Sequence, residues 1–222
     1  MNFEIARLQN LENKIEQICR RIGRNAHDIT VVAATKYAEV EQMNRLISAG
    51  IQVIGENRIQ DAQKKFPYLL PVRKHFIGHL QTNKVKIAVK LFDGIESVDS
   101  LQLAEKIDQE CEKLSNVMPI FVEVNVANDP KRFGVPSQEV FEFLRKLRLL
   151  EHIKVQGLMT IIPYFENLED TRPYFRKMKI LFDFCRKDFK DMRVLSMGMS
   201  HDYEVAIEEG ATEIRIGRYF FL

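Results

Sequence analysis

The segment LSMGMSHDYEVAIEEGATEIRIGRYFF, residues 195–221, has the pattern of a strand, a helix and a second strand in direct succession. Strand-forming residues occur at 193–196 and again at 213–216, and the stretch 202–209 between them has helical periodicity. Two strands joined by a helix run parallel in one sheet, because a crossover returns the chain to the edge where it started. This segment therefore predicts a parallel sheet covered by helices.

The same alternation extends back through the preceding chain. Apolar or β-branched runs predict six earlier strands, at 29–35, 52–55, 74–78, 92–97, 119–126 and 154–159. Helical periodicity occupies the stretches between strands, at 39–49, 58–66, 82–90, 101–113, 138–149 and 172–186. Eight strands favour a closed (β/α)8 TIM barrel, an α/β fold, over an open doubly wound sheet. The sequence also lacks the G-x-G-x-x-G and G-x-x-x-x-G-K-[ST] motifs of nucleotide-binding open sheets.

An extra helix is predicted before the first strand. Apolar residues recur at three- and four-residue spacings between Phe3 and Ile22, which gives one apolar stripe, and Gly23 follows as a stop signal. The chain shows no linker, repeat or shift in composition. We therefore expect residues 1–222 to form a single domain, and the lack of a coiled coil or an added domain favours a monomer.

Charge and composition exclude several classes of partner. Lys plus Arg number 33 against 31 for Asp plus Glu, a balance too even to attract nucleic acid or an anionic membrane over long range. The N-terminal segment carries charges throughout, unlike a signal peptide or membrane anchor. These features predict a cytoplasmic protein that holds any anion by local contacts.

Neither a disulfide framework nor a metal site is expected. Cys19, Cys111 and Cys185 lie far apart and include no C-x-x-C pair, so we expect reduced thiols. His75 and His79 have the i, i+4 spacing of helical zinc ligands, but they fall along a predicted strand and its exit, where that spacing separates the rings.

In a (β/α)8 barrel the functional residues lie at the carboxyl ends of the strands. The predicted strand ends all carry polar residues or glycine: Lys36, Glu56 with Asn57, His79, Ser97, Asn125, Thr160, Ser196 with Ser200, and Gly217 with Arg218. Lys36 follows the apolar run VVAAT and has an amine that can attack an aldehyde. The alternative is a lysine that extends into solvent. Glu56 and Asn57 either cap the next helix or contact a ligand.

The last two strands predict a phosphate site, since barrels commonly place one after strands seven and eight. Gly198 allows close backbone approach, and Ser200 is a natural N-cap for the helix that follows. The backbone N–H groups of Gly217 and Arg218 complete a cradle for an anion beside Ser200. Arg215 points inward at this end, and its alternative role is a partner in a core ion pair.

Several motifs together resemble the pyridoxal phosphate homeostasis (YggS/PROSC) family. These are VVAATK at 31–36, VIGENRIQDAQKK at 53–65, HFIGHLQTNK at 75–84, ESVDS at 96–100, QGLMTI at 156–161 and the segment at 195–221. The resemblance covers nearly the whole chain. Its most specific part is the segment near the C-terminus.

The resemblance implies a barrel like the N-terminal domain of alanine racemase. It further implies that pyridoxal 5'-phosphate is held as an imine (Schiff base) on Lys36, and it assigns a role to five other residues. Ser200, Gly217 and the backbone of Arg218 hold the phosphate, Arg215 faces the pyridine nitrogen, and Asn57 borders the cofactor. Family members are regulators of vitamin B6 and amino-acid balance without an established reaction. Two departures occur: Arg218 replaces a more usual small residue, and Arg132 replaces a common lysine.

We therefore expect a cofactor carrier that exchanges pyridoxal 5'-phosphate with apo-enzymes, rather than an enzyme. An arginine facing the pyridine nitrogen donates to it and leaves it unprotonated, which weakens carbanion stabilisation. Racemisation also needs an acid or base on each face of the substrate, and Lys36 supplies one. The alternatives are a weak pyridoxal-dependent amino-acid racemase and a barrel of another class that binds a phosphate ester.

Overall fold

Eight parallel strands close into a ring in the computed structural model, which describes residues 3–222. The strands of the ring are β1 (Thr30–Ala34), β2 (Val53–Glu56), β3 (Arg73–Phe76), β4 (Gly94–Val98), β5 (Met118–Asn125), β7 (Ile153–Met159), β8 (Val194–Met199) and β9 (Glu213–Ile216). They pair in the order β4-β3-β2-β1-β9-β8-β7-β5, and pairing of β4 with β5 closes the ring. The predicted (β/α)8 barrel is confirmed. The two-residue strand β6 (Val135–Pro136) pairs only with β5.

Helices surround the ring and match the predicted positions. They are α1 (Phe3–Ile22), α2 (Val40–Ser48), α3 (Ile59–Lys65), α4 (Val85–Leu91), α5 (Leu101–Glu112), α6 (Val140–Leu147), α7 (Arg172–Cys185), α8 (Tyr203–Glu208) and α9 (Arg218–Phe221). The sequence analysis missed β6 and α9, which are too short to leave a periodic pattern. None of the helices within residues 3–222 is long and apolar enough to cross a membrane.

The main apolar core lies between the ring and its helices. Alternate strand residues such as Ile54, Phe76 and Ile214 point outward and pack against helical residues such as Leu46 and Phe182, all at most 2% exposed. Burying a side chain of this size stabilises the fold by about 1.5–3 kcal/mol.

The opposite faces of the same strands line the inside of the barrel. On β9, Ile214 and Ile216 belong to the outer core, so Glu213 and Arg215 point inward by alternation. Both inward residues are almost fully buried. The barrel interior therefore holds ionisable groups directly beneath its carboxyl end.

The extra N-terminal helix packs against one helix from the start of the barrel sequence and two from its end. Gly23 has a φ of +68° and ends α1, as predicted. The apolar stripe of α1 contacts α2, α8 and α9. Just beyond the helix, Arg24 donates hydrogen bonds to the carbonyl oxygens of Ile207 and Ala211 at 2.7 and 2.8 Å. These contacts attach the N-terminal helix to the elements that follow β8 and β9.

Candidate functional site

A cavity of about 530 Å³ opens at the carboxyl end of the barrel. Its size suits a small organic ligand. Its walls include every residue that the resemblance assigned to the cofactor: Lys36, Asn57, Ser200, Arg215, Gly217 and Arg218. The structure thus brings the six residues to one cavity, and their roles in binding remain predictions.

Lys36 lies in a turn two residues beyond the end of β1. Its side chain is exposed at the cavity wall, and its Nζ is 4.9 Å from the ring centroid of Tyr37. A flexible primary amine therefore stands at the cavity entrance, where an aldehyde could reach it.

A buried carboxylate anchors the backbone on both sides of this site. Glu56 is fully buried, and its Oε2 accepts hydrogen bonds from Thr35 Oγ1 at 3.0 Å and from Lys65 Nζ at 3.3 Å. Its Oε1 accepts the N–H of Asn57 at 2.8 Å. Glu56 thus fixes the residue before Lys36 and the residue after itself. Glu56 does not cap α3, whose N-cap is Arg58, and it is not among the residues that line the cavity.

Asn57 lines the cavity, and its side chain carries a buried acceptor without a partner among the residues that the structure describes. Its Oδ1 is buried and has no hydrogen-bond partner within residues 3–222. The neighbouring turn packs closely against it, since a Cβ on Gly78 would lie 2.5 Å from the carbonyl oxygen of Asn57. A buried acceptor without a partner costs about 1–3 kcal/mol, and a ligand that donates to it would remove that cost.

Two backbone N–H groups converge on the Ser200 hydroxyl. Gly217 and Tyr219 donate to Ser200 Oγ at 3.2 and 3.3 Å. Because that oxygen accepts two hydrogen bonds, its own proton is free to be donated to a ligand in the cavity. The prediction that Ser200 caps α8 is wrong. The N-cap is Asp202, whose Oδ1 accepts the N–H of Met199 at 2.6 Å.

The two glycines of the predicted cradle have packing roles. A Cβ on Gly217 would lie 3.1 Å from the carbonyl oxygen of Ala34, so this residue lets β9 approach the end of β1. Gly198 has a φ of +92°, and its Cβ would lie 2.5 Å from that of Ala206. Gly198 is absent from the cavity wall, so its close approach is to α8 rather than to a ligand.

Arg215 reaches the cavity from inside the barrel. It is 4% exposed, and its guanidinium donates to Ser196 Oγ at 2.6 Å and to the carbonyl oxygen of Thr160 at 2.8 Å. No carboxylate oxygen lies within 4.0 Å of it among the described residues. The alternative of a direct core ion pair is therefore not realised, and the guanidinium is held by neutral groups at the base of the cavity.

Positive charge dominates the cavity wall. Lys36, Arg132, Arg215 and Arg218 line it, against a single carboxyl group, that of Asp202. Burial raises the pKa of Asp202, although the N–H of Met199 and the charge of Arg215 act against that rise. A cationic wall, a hydroxyl donor and a buried acceptor together fit a flat, polar ring that carries a phosphate ester.

The sequence profile of the alanine racemase N-terminal domain family matches residues 6–222. The chain belongs to this family. A pyridoxal phosphate homeostasis protein from Aquifex aeolicus is 41% identical over 218 residues, which cover 97% of this chain and 96% of the relative. The predicted family resemblance is confirmed.

Solved structures give the same result for the fold. PipY of Synechococcus elongatus, a structure with PLP bound, aligns with a TM-score of 0.81 and 29% identity over 94% of this chain and 100% of PipY. An alanine racemase from Clostridium difficile aligns with a TM-score of 0.77 at 17% identity, over 96% of this chain and 56% of the racemase. The likeness to the racemase shows the shared barrel alone.

Proposed function

We propose that this protein binds pyridoxal 5'-phosphate through Lys36 and acts as a carrier and regulator in vitamin B6 and amino-acid homeostasis. One observation carries the proposal. A primary amine, a buried acceptor and the Ser200 hydroxyl with its two backbone donors meet in one positively charged cavity. The names of the relative from A. aeolicus and of PipY with PLP bound support the same ligand.

Each residue of the site has a task in this proposal. When bound, pyridoxal 5'-phosphate supplies an aldehyde that condenses reversibly with a primary amine. Lys36 Nζ provides that amine, and the Ser200 hydroxyl with the backbone N–H groups of Gly217 and Arg218 binds the phosphate. Asn57 Oδ1 accepts a hydrogen bond at the edge of the ring. Reversible attachment to Lys36 is what allows a carrier both to retain and to release its ligand.

Arg215 makes the site a poor catalyst of carbanion chemistry. A guanidinium is always a donor, so a ring nitrogen that faces it accepts a hydrogen bond and stays unprotonated. Pyridoxal enzymes that use the ring as an electron sink usually place a carboxylate at this nitrogen, which keeps it protonated, although an arginine also occurs there. The position of Arg215 therefore favours storage and transfer over turnover.

A weak amino-acid racemase is the second candidate. Tyr37 and Tyr164 both line the cavity, so a phenol is available as a second acid or base opposite Lys36. Exchange of the α-proton of alanine with deuterium, proportional to protein and lost in Lys36→Ala, would support this candidate. No exchange with any common amino acid would dismiss it.

The decisive experiment reduces the protein with borohydride after addition of pyridoxal 5'-phosphate. We expect a reduced adduct on Lys36 by peptide mass spectrometry and an absorption band that Lys36→Ala lacks. Lys187→Ala removes an exposed lysine in the turn after α7 and serves as the matched control. A wild-type protein without adduct contradicts the proposal. Heat protection by a phosphate ester in that case would indicate a barrel of another class.

We further propose that residues 1–222 act as one cofactor-binding domain, as a monomer in the cytoplasm, with apo-enzymes as acceptors. Sedimentation velocity of the loaded protein tests the monomer, for which one species of about 26 kDa is expected. Activation of an apo-enzyme by the loaded protein tests the transfer. Activation no faster than release into buffer would contradict a direct acceptor.

A further inference from the structure

Three ionisable side chains meet inside the barrel beneath Arg215. A ligand-type atom from each of His75, Glu96 and Glu213 lies within 4.8 Å of the other two. Glu96 and Glu213 are 0% and 3% exposed. The residues belong to strands β3, β4 and β9, and the site proposed above uses none of them.

Hydrogen bonds connect this cluster to the cavity. His75 Nδ1 is 2.8 Å from Glu96 Oε1, and the Ser196 hydroxyl donates to Glu96 Oε2 at 3.1 Å. Ser196 Oγ in turn accepts from Arg215 at 2.6 Å. Both oxygens of Glu96 therefore have hydrogen-bond partners. The Ser196 hydroxyl connects the Glu96 carboxylate to the guanidinium of Arg215.

Glu213 is the member of the cluster whose carboxyl group has an oxygen without a hydrogen-bond partner in residues 3–222. Its Oε1 is buried and has no partner within the described part of the chain. Its neighbours in register on β1 and β8 are Thr30 and Ser196, which carry no ionisable group. Burial, and then the charge of Glu96, raise the pKa of Glu213 well above its ordinary value. Ionising both carboxyl groups at this separation in the buried interior is energetically unfavourable, because the two charges repel and both lose hydration.

We propose that Glu96 and Glu213 hold one proton between them, resident on Glu213, and that the single remaining negative charge positions Arg215 through Ser196. The pair then carries one negative charge, which balances the positive charge of the guanidinium. Glu96 and Ser196 become positioning residues for the arginine at the cavity base. This second part rests on the proposed function, whereas the shared proton does not.

The shared proton is tested without cofactor, through the pH dependence of urea unfolding. Because the folded protein holds a proton that the unfolded chain releases above its ordinary pKa, the wild type should lose stability relative to Glu213→Gln as pH rises. From pH 5 upward we expect the ratio of their unfolding constants to change about tenfold per pH unit. The other buried carboxyl groups are present in both proteins and cancel in this ratio; among them is Glu123, which lies near Asp99, Arg132 and Arg215.

The matched control is Glu151→Gln, which alters an exposed carboxylate and should keep the wild-type slope. Parallel curves for the wild type and Glu213→Gln would overturn the shared proton. So would a stoichiometric divalent metal in the purified protein whose removal by a chelator lowers stability, because the carboxylates would then be its ligands.

The link to Arg215 is tested by cofactor binding in two variants of the same shape. Glu213→Gln keeps a neutral donor and should bind pyridoxal 5'-phosphate with wild-type affinity and spectrum. Glu96→Gln removes the charge that holds Arg215, and we expect affinity to fall at least tenfold, with an absorption shift in the same direction as that expected for Arg215→Lys. Wild-type binding by Glu96→Gln would overturn the link. If the wild type binds no cofactor, the proposed function is refuted. The pH dependence of urea unfolding would still test whether Glu96 and Glu213 share a proton.

Discussion

Lys65 donates a hydrogen bond to the backbone carbonyl oxygen of Thr35 at 2.9 Å, one residue before Lys36. The same ammonium group pairs with Glu56 at 3.3 Å, and the lysine side chain is only 19% exposed. Helix α3 thereby holds the turn that carries the reactive amine. Lys65 thus holds the backbone next to Lys36, although Lys65 itself does not line the cavity.

Replacing Lys65 should disturb the site at a distance. Lys65→Met leaves the Glu56 carboxylate with one partner fewer, so we expect the free energy of unfolding to fall by about 1.5–3 kcal/mol. The fraction of Lys36 trapped by borohydride should fall as well. Lys64→Met, an exposed neighbour on α3, is the control and should change neither value. Equal trapping in both variants would show that α3 does not position Lys36.

Ser200→Ala should weaken phosphate binding more than it weakens the fold. The variant removes the hydroxyl donor and the oxygen between the N–H groups of Gly217 and Tyr219. A hydrogen bond to a charged group contributes about 1.5–3 kcal/mol, so pyridoxal 5'-phosphate should bind at least about tenfold more weakly. Pyridoxal, which lacks the phosphate, should bind as it does to the wild type. Fluorescence titration measures the affinity for each of the two ligands. Ser48→Ala, which changes an exposed serine of α2, is the control.

Two glycines with positive φ should respond differently to alanine. Gly50 has a φ of +116° and open space around its missing Cβ, so Gly50→Ala should cost about 1–3 kcal/mol of strain. Gly198→Ala adds a clash with Ala206 to similar strain, so urea unfolding should show a larger loss. It should also weaken cofactor binding, because α8 must move and Ser200 lies beside it. Equal losses would contradict the packing role of Gly198.

Glu123 should make the protein less stable as pH rises. Burial, and then the charge of Asp99, raise its pKa to about 7, above the ordinary value of 4.5. Its contribution to stability is complete below pH 4.5 and is lost as pH rises through 7, a change of about 3 kcal/mol. Glu123→Gln should remove this part of the pH dependence in urea unfolding. Glu166→Gln, an exposed carboxylate, should retain it; a Glu123→Gln curve parallel to wild type would refute the assignment.

The sequence sufficed for the barrel because all eight strands of the ring and most helices carry clear patterns of apolar residues. The run at 29–35, for example, became β1 (Thr30–Ala34), and the run at 213–216 became β9 with the same bounds. Residues at the carboxyl ends of the strands were also predictable, because a barrel places those ends together. This rule predicts that Lys36, Asn57 and Arg215 lie at the same end of the barrel, and all three line one cavity.

The partners of those residues could not be predicted, because they depend on register between strands. His75, Glu96 and Ser196 come from three strands, and their contact follows from the relative shift of those strands. Sequence reasoning considered His75 only with His79, its neighbour in sequence. The close packing of Gly198 against Ala206 likewise depends on the position of α8.

Pairing of β1 with β9 joins the first strand of the barrel to its last. Lys36 follows the first of these strands and Gly217 the second, so the amine and the phosphate donors come from opposite ends of the polypeptide. The cavity is therefore complete only when β9 has paired with β1, and closure of the ring is a precondition for holding a ligand between them.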